Sequence, residues 1–332
     1  MTVAFDHRHA GHCESGTLSA LLRNRGLDLS EPMVFGIGGG LFFLHAPFIE
    51  VGNIPLTAYR GAPRVIIRNA CKRLGVVMRY QRFRDPDRGM RALDAFMQQE
   101  RPVGLQTCVY WLPYFPPELR FQFNAHNLVA FGKRDGHYLL SDPVFEHTVA
   151  CPAQDLRRAR FARGRFAPRG LIYYPESVPR SPDLRRATRA ALRGTCRQML
   201  DIPLPFLGVR GMRYMARCLP RWPRALGETH ARSRLGGVVR MQEEIGTGGA
   251  GFRFMYAAFL REAGERLEWP RLAEASRMMT EAGDRWREFA LLGAQVCKGH
   301  ETGADAYARL SAIVQDCAAR EERVFHLLRR AL

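Results

Sequence analysis

Lysine is almost missing from this chain of 332 residues: Lys72, Lys133 and Lys298 are its only copies, against 50 lysines and arginines together. The basic excess is therefore arginine, which a GC-rich genome explains as readily as a selected partner. A net charge of 50 − 32 = +18 does not by itself announce a nucleic-acid binder. It is also evenly spread, with 23 basic and 14 acidic side chains in residues 1–175 and 27 and 18 beyond. Helix-turn-helix, zinc-finger and aromatic-basic strand signatures are all missing, so no nucleic-acid partner is expected. No apolar run reaches the roughly 20 residues that a membrane-spanning helix needs. The best stretch, Met33 to Val51, is broken by glycines, a proline and a histidine. The first residues, Met1 to His7, have neither the basic nor the apolar region of a signal peptide, and a cytoplasmic location is expected. The eight cysteines form no Cys-x-x-Cys pair, which argues against structural zinc and redox dithiol chemistry. No His-x-x-x-His pair falls on a helical pattern, so no metal is expected. Gly36-x-Gly38-Gly39 lacks the third glycine and the following acid of a dinucleotide fingerprint.

What the chain does have is one cysteine in a telling place. Gly11-His12-Cys13-Glu14-Ser15 leads into Thr17, Leu18, Leu21 and Leu22, an apolar stripe at helical spacing that stops at Gly26. A thiol on the first turn of a helix meets the positive end of the macrodipole, which favours thiolate. Downstream, His126-Asn127-Leu128-Val129-Ala130-Phe131 and His137-Tyr138-Leu139-Leu140-Ser141-Asp142 flank Asp135-Gly136, a strong hairpin signal. Antiparallel pairing would set His126 beside Asp142, where a carboxylate can fix the imidazole tautomer while the ring faces the thiol. Cysteine, histidine, aspartate in that chain order is the pattern of a papain-type thiol site. Each residue alone would read as ordinary structure; together they point to catalysis.

The fold class expected is α+β. Residues 1–175 alternate helical and strand patterns. A proline- and serine-rich linker, Pro175 to Pro182, precedes an all-helical domain over 183–332. Within that domain the glycine-rich run Gly246 to Gly251 reads as a tight turn before a helix. One charged run stands out, Arg157, Arg158, Arg160, Arg163, Arg165 and Arg169, with no acid among them. It reads either as a solvated connector or as a docking patch for an acidic protein or a phosphopantetheine arm, nucleic acid being the weakest choice.

His12-Cys13 with Leu21-Leu22, the stretch from Ser30-Glu31-Pro32 to Gly38-Gly39, and the His126/Asp142 hairpin resemble the N-terminal domain of the butirosin biosynthesis protein H family. Ile245-Gly246-Thr247-Gly248-Gly249, Phe252-Arg253 and Tyr256 look like the uncharacterised helical domain usually fused to it. The resemblance implies a C39-peptidase-like fold of the papain class, and an acyltransferase that moves an acyl group from a carrier-protein thioester to an amine or hydroxyl acceptor. It casts Cys13 as nucleophile, His126 as general base and acid, and Asp142 as the orienting carboxylate. C39 peptidases carry a glutamine six residues before the cysteine; His7 stands there in this chain. The oxyanion would then rest on the Cys13 N–H with His7, His12 or Asn124, and Gly38 and Gly39 would line the acyl channel. The implied partners are an acyl carrier protein and a small-molecule amine, with room for a homodimer. The implied phosphopantetheine belongs to the donor and not to this chain. A C39-like peptidase or amidase is the alternative, and a non-catalytic binding protein the third reading.

Overall fold

A computed structural model of the chain describes residues 5–51, 54–244 and 248–332. In chain order the first elements are α1 (Cys13–Asn24), α2 (Glu31–Ile37), β1 (Leu41–Val51), β2 (Ile54–Arg60), α3 (Val65–Leu74), β3 (Val77–Gln81) and α4 (Pro86–Gln98). Then follow β4 (Val103–Thr107), β5 (His126–Arg134), β6 (His137–Ser141), β7 (Val149–Pro152), α5 (Ala153–Arg160) and β8 (Ile172–Ser177). The remainder is helical: α6 (Leu184–Cys196), α7 (Gly208–Cys218), α8 (Trp222–Leu226), α9 (Glu228–Glu243), α10 (Arg253–Arg266), α11 (Pro270–Cys297) and α12 (Gly303–Ala331). Among the described residues no helix is long and apolar enough to cross a membrane.

The chain divides into two compact units, Met1–Val34 with Ile66–Pro182, and Phe35–Val65 with Asp183–Leu332. The stretch Phe35–Val65, placed by the sequence reading in a 1–175 domain, therefore groups with the helices. The reason is local: β1 and β2 form a two-stranded sheet of their own, Leu44 of β1 bridges to Leu207, and the hairpin packs on α7 and α9.

The first unit is built on a six-stranded antiparallel sheet ordered β3-β8-β4-β5-β6-β7. Asp135 and Gly136, with φ of 49° and 74°, make the tight turn between β5 and β6, the conformation that an Asp-Gly hairpin favours. Val103, Leu105, Leu128, Ala130, Leu140 and Ile172 share one core with Leu93, Phe96 and Met97 of α4 and Leu156 and Ala159 of α5. Every residue of β5 from His126 to Gly132 is buried, so the strand needs cover on both faces. Helix α1, packed across β4, β5 and β8, supplies the other cover. Its Glu14 is fully buried and accepts the Ile67 N–H at 3.2 Å, which ties α1 to the first turn of α3.

In the second unit α10, α11 and α12 pack in succession around a charged centre. Arg253 and Glu321, both fully buried, form a two-pronged ion pair at 2.8 and 3.0 Å, and the Trp286 indole N–H donates to the same carboxylate at 2.7 Å. The guanidinium also donates to the Gly251 carbonyl and lies over the Tyr59 and Trp286 rings. Every residue from Gly248 to Phe252 has a positive φ. At Ala250 and Phe252, which carry a Cβ, that conformation costs about 1–2 kcal/mol each. Burial of Phe252 against Phe35, ring centroids 5.1 Å apart, and a bond from the Ala250 N–H to Glu243 help offset it. Ile245, Gly246 and Thr247, the first part of the glycine-rich motif, lie outside the described residues.

Candidate active site

Cys13 is the first residue of α1, whose N-cap is His12 with extended backbone. His126 opens β5 and Asp142 follows the last residue of β6. The His126 Nε2–H donates to Asp142 Oδ2 at 2.7 Å, and the Cys13 thiol is the ring's other hydrogen-bond partner. All three residues sought in the sequence therefore meet, and all are buried: Cys13 is 6% exposed, His126 4% and Asp142 0%.

Tyr114, which no sequence pattern marks, adds a fourth group. Its O–H donates to the same Asp142 Oδ2 at 2.8 Å, while Oδ1 accepts the Val144 N–H at 3.3 Å. Phe115 meets the His126 ring edge to face, and Phe145 packs edge to face on both Phe115 and Tyr114. These rings keep water from the imidazole and the carboxylate. Tyr114 and Phe145 lie in turns beyond the strands, where no periodicity announces them.

Burial would lower the His126 pKa, but the Asp142 charge and hydrogen bond, together with Cys13, outweigh it and push the ring up to about 10. The folded protein thus holds this proton more tightly than the unfolded chain, whose histidine titrates near 6.5. The resulting stability is fully present below pH 6.5 and is lost as pH rises through about 10. Denaturant unfolding of wild type at pH 6, 8 and 10 should show that decline, on the order of a few kcal/mol. His126→Gln should flatten it. An equal decline in both proteins would place the effect elsewhere.

The residues expected to hold an oxyanion are placed differently. The His7 Nε2–H donates to the Phe145 carbonyl at 3.0 Å, and its Nδ1 accepts the Ser141 hydroxyl at 2.7 Å, so the ring nitrogens anchor the N-terminal segment to the end of β6 and the turn after it. The Asn124 amide donates to the carbonyls of Arg163 and Arg165 at 3.1 and 2.9 Å. His12 Nδ1 lies 3.4 Å from the Ser15 N–H and 3.0 Å from its hydroxyl, as a helix cap. Gly38 and Gly39 belong to the turn between α2 and β1, in the second unit. The glycines around them serve packing: a Cβ on Gly36 would strike the Phe259 ring, and one on Gly40 the Phe35 ring.

The arginine run is also divided by the structure. Arg160 is fully buried and donates to the carbonyls of Gly89 and Gly170 at 3.0 and 3.1 Å, and burial lowers its pKa to about 10. It cannot belong to a docking surface. Arg157, Arg158, Arg163 and Arg165 are exposed. Arg157 pairs with Asp87, Arg158 lies over the Trp111 ring and Arg165 over Phe166. A cleft of about 500 Å³ opens at the far end of α1, lined by Asn24, Arg25, Arg101 and Tyr174, and holds none of the candidate residues.

Residues 12–143 match the family model for butirosin biosynthesis protein H, N-terminal, and residues 154–328 match a domain of unknown function, DUF4872. A crystal structure described as that of a C39-like peptidase from Bacillus anthracis is similar with a TM-score of 0.36 and 13% identity, over 54% of this chain and 96% of that one. No curated protein matches the chain.

Proposed function

The chain belongs to the butirosin biosynthesis protein H family, and from that premise we propose that it is a thiol-dependent acyltransferase working from a carrier-protein thioester. The observation that carries the reading is the meeting of Cys13, His126 and Asp142 in one buried site. The Cys13 thiolate attacks the thioester carbonyl, and the Cys13 N–H, a first-turn donor with no carbonyl partner inside α1, faces the oxyanion. The bond to the phosphopantetheine sulfur breaks, His126 protonates that thiol, and the acyl group stays on Cys13. An amine then attacks the acyl-enzyme while His126 takes its proton. The acyl chain passes to nitrogen and the thiolate is restored.

Burial favours transfer over hydrolysis. A thiol and imidazole so little exposed, backed by Tyr114, Phe115 and Phe145, leave water at low activity beside the acyl-enzyme. A peptidase would use the same three groups but needs water there.

The carrier is proposed to dock on the exposed arginines beside His126. The loop bearing Arg163, Arg165 and Phe166 is held to Asn124 and Gln106, so it lies within a few residues of the start of β5. Trp111 and Phe166, both exposed, give that surface apolar ground among the guanidiniums. Asn124 grips only backbone carbonyls of residues 163 and 165, so reversing their side chains leaves those bonds intact. Arg163→Glu with Arg165→Glu should cut kcat/KM for a carrier-bound donor by roughly 10-fold, an effect that shrinks with added salt. A small acyl-cysteamine thioester should lose less than about 2-fold, as expected for surface changes away from the site. Equal losses with both donors would reject docking here, and acyl groups passing to water but never to any amine would favour the amidase.

A further inference from the structure

Ser30-Glu31-Pro32 belongs to the most specific stretch of the family resemblance, yet the reaction as proposed leaves it without a part. Locally it starts a helix: the Ser30 hydroxyl accepts the Met33 N–H at 3.2 Å, and Pro32 occupies the first turn of α2, where it needs no N–H partner. Glu31 looks the other way, toward α1. Its Oε2 accepts the Gly11 N–H at 2.8 Å, and its Oε1 accepts the His12 N–H at 2.7 Å and the Ser15 hydroxyl at 3.0 Å. One carboxylate thus grips the two peptide groups that lead to Cys13.

We infer that Glu31 is a positioning residue, whose grip on Gly11 and His12 aims the Cys13 N–H at the oxyanion. This role rests on Cys13 being the nucleophile proposed above. The Cys13 N–H shares its planar peptide with the His12 carbonyl. That carbonyl is held from one side, accepting the Gly16 N–H at 2.9 Å inside the helix. Glu31 holds the other side of His12 through its N–H. With both ends fixed, the peptide plane between His12 and Cys13 has one orientation, with its N–H pointing out of the helix start. His7 is committed to Ser141 and Phe145, so more of the oxyanion's stabilisation falls on this single N–H. Three donors absorb the Glu31 charge, so the carboxylate does not confront the oxyanion bare.

A plain helix cap would contribute only stability. Two reactions of Cys13 on the full-length chain tell the roles apart. With p-nitrophenyl acetate the sulfur bonds the acetyl carbon and nitrophenolate leaves, through a tetrahedral oxyanion. With iodoacetamide the sulfur displaces iodide at a saturated carbon, and no oxyanion forms. Glu31→Gln keeps one acceptor oxygen but turns an NH₂ toward one of the donors, Gly11 if the oxygen stays on His12 and Ser15. Acetylation should slow by roughly 10²-fold, the scale of one lost oxyanion donor, while alkylation stays within about 2-fold of wild type. Ser15→Ala, which leaves both backbone bonds in place, should acetylate nearly as wild type does. Parallel loss of both reactions in Glu31→Gln, or loss of neither, would overturn the positioning role. The comparison needs no carrier protein, so a failed transfer reaction and a failed positioning role give different results.

Discussion

Cys13→Ala should abolish acyl transfer, leaving a rate lower by about 10⁴-fold or more, as when a nucleophile is removed from a covalent mechanism. The fold should survive. Cys13 is buried in the first turn of α1, but its one sulfur is a small share of the packing there, so the stability change should be about 1 kcal/mol. Intact-mass measurement after mixing with an acyl-carrier donor should show one acyl group on wild type and none on the variant. An adduct that persists on Cys13→Ala would remove the covalent route altogether. Loss of the adduct together with loss of cooperative unfolding would show that the thiol is structural.

Asp142→Asn should lower turnover by roughly 10³- to 10⁴-fold, by analogy with a triad carboxylate made neutral. Three donors converge on Asp142: His126 Nε2–H and the Tyr114 hydroxyl on one oxygen, the Val144 N–H on the other. An amide must turn its NH₂ toward one of them. The variant also loses the charge that opposes desolvation of the imidazolium, so the His126 pKa falls from about 10. The alkaline limb of the pH–rate profile should therefore move to lower pH along with the drop in rate. Near-normal turnover with an unmoved alkaline limb would mean that another group orients the ring.

Much of this site could be read from residues alone, because it rests on local signals. A cysteine before a helical stripe marks Cys13, and an Asp-Gly hairpin between two β-rich runs sets His126 near Asp142, without knowledge of the sheet. The periodic helices beyond residue 183 were legible for the same reason. The failures share a cause too. Arg160 can be buried because the carbonyl of Gly89, 71 residues away, and that of Gly170 across a loop come to meet it. Asn124 finds its acceptors some 40 residues away at Arg163 and Arg165, and His7 finds its own at Ser141 and Phe145. Polar side chains choose partners through tertiary structure, so composition and spacing cannot say which donor is left to face a substrate. The glycine run before β1 misled in another way: it suggested an active-site turn, whereas Gly36 and Gly40 make room for Phe259 and Phe35.

The buried ion pair of the helical unit bears on how this lineage can change. Arg253, Trp286 and Glu321 sit on three different helices and share one carboxylate. Losing either charged member alone strands its partner in a dry interior, at a cost of about 3–5 kcal/mol, while replacing the group together with apolar side chains can be neutral. A drifting population meets a valley between two viable states, and single steps across it are removed by selection. The three positions should thus descend as a linked set, kept whole in close kin and exchanged whole, if at all, in remote branches.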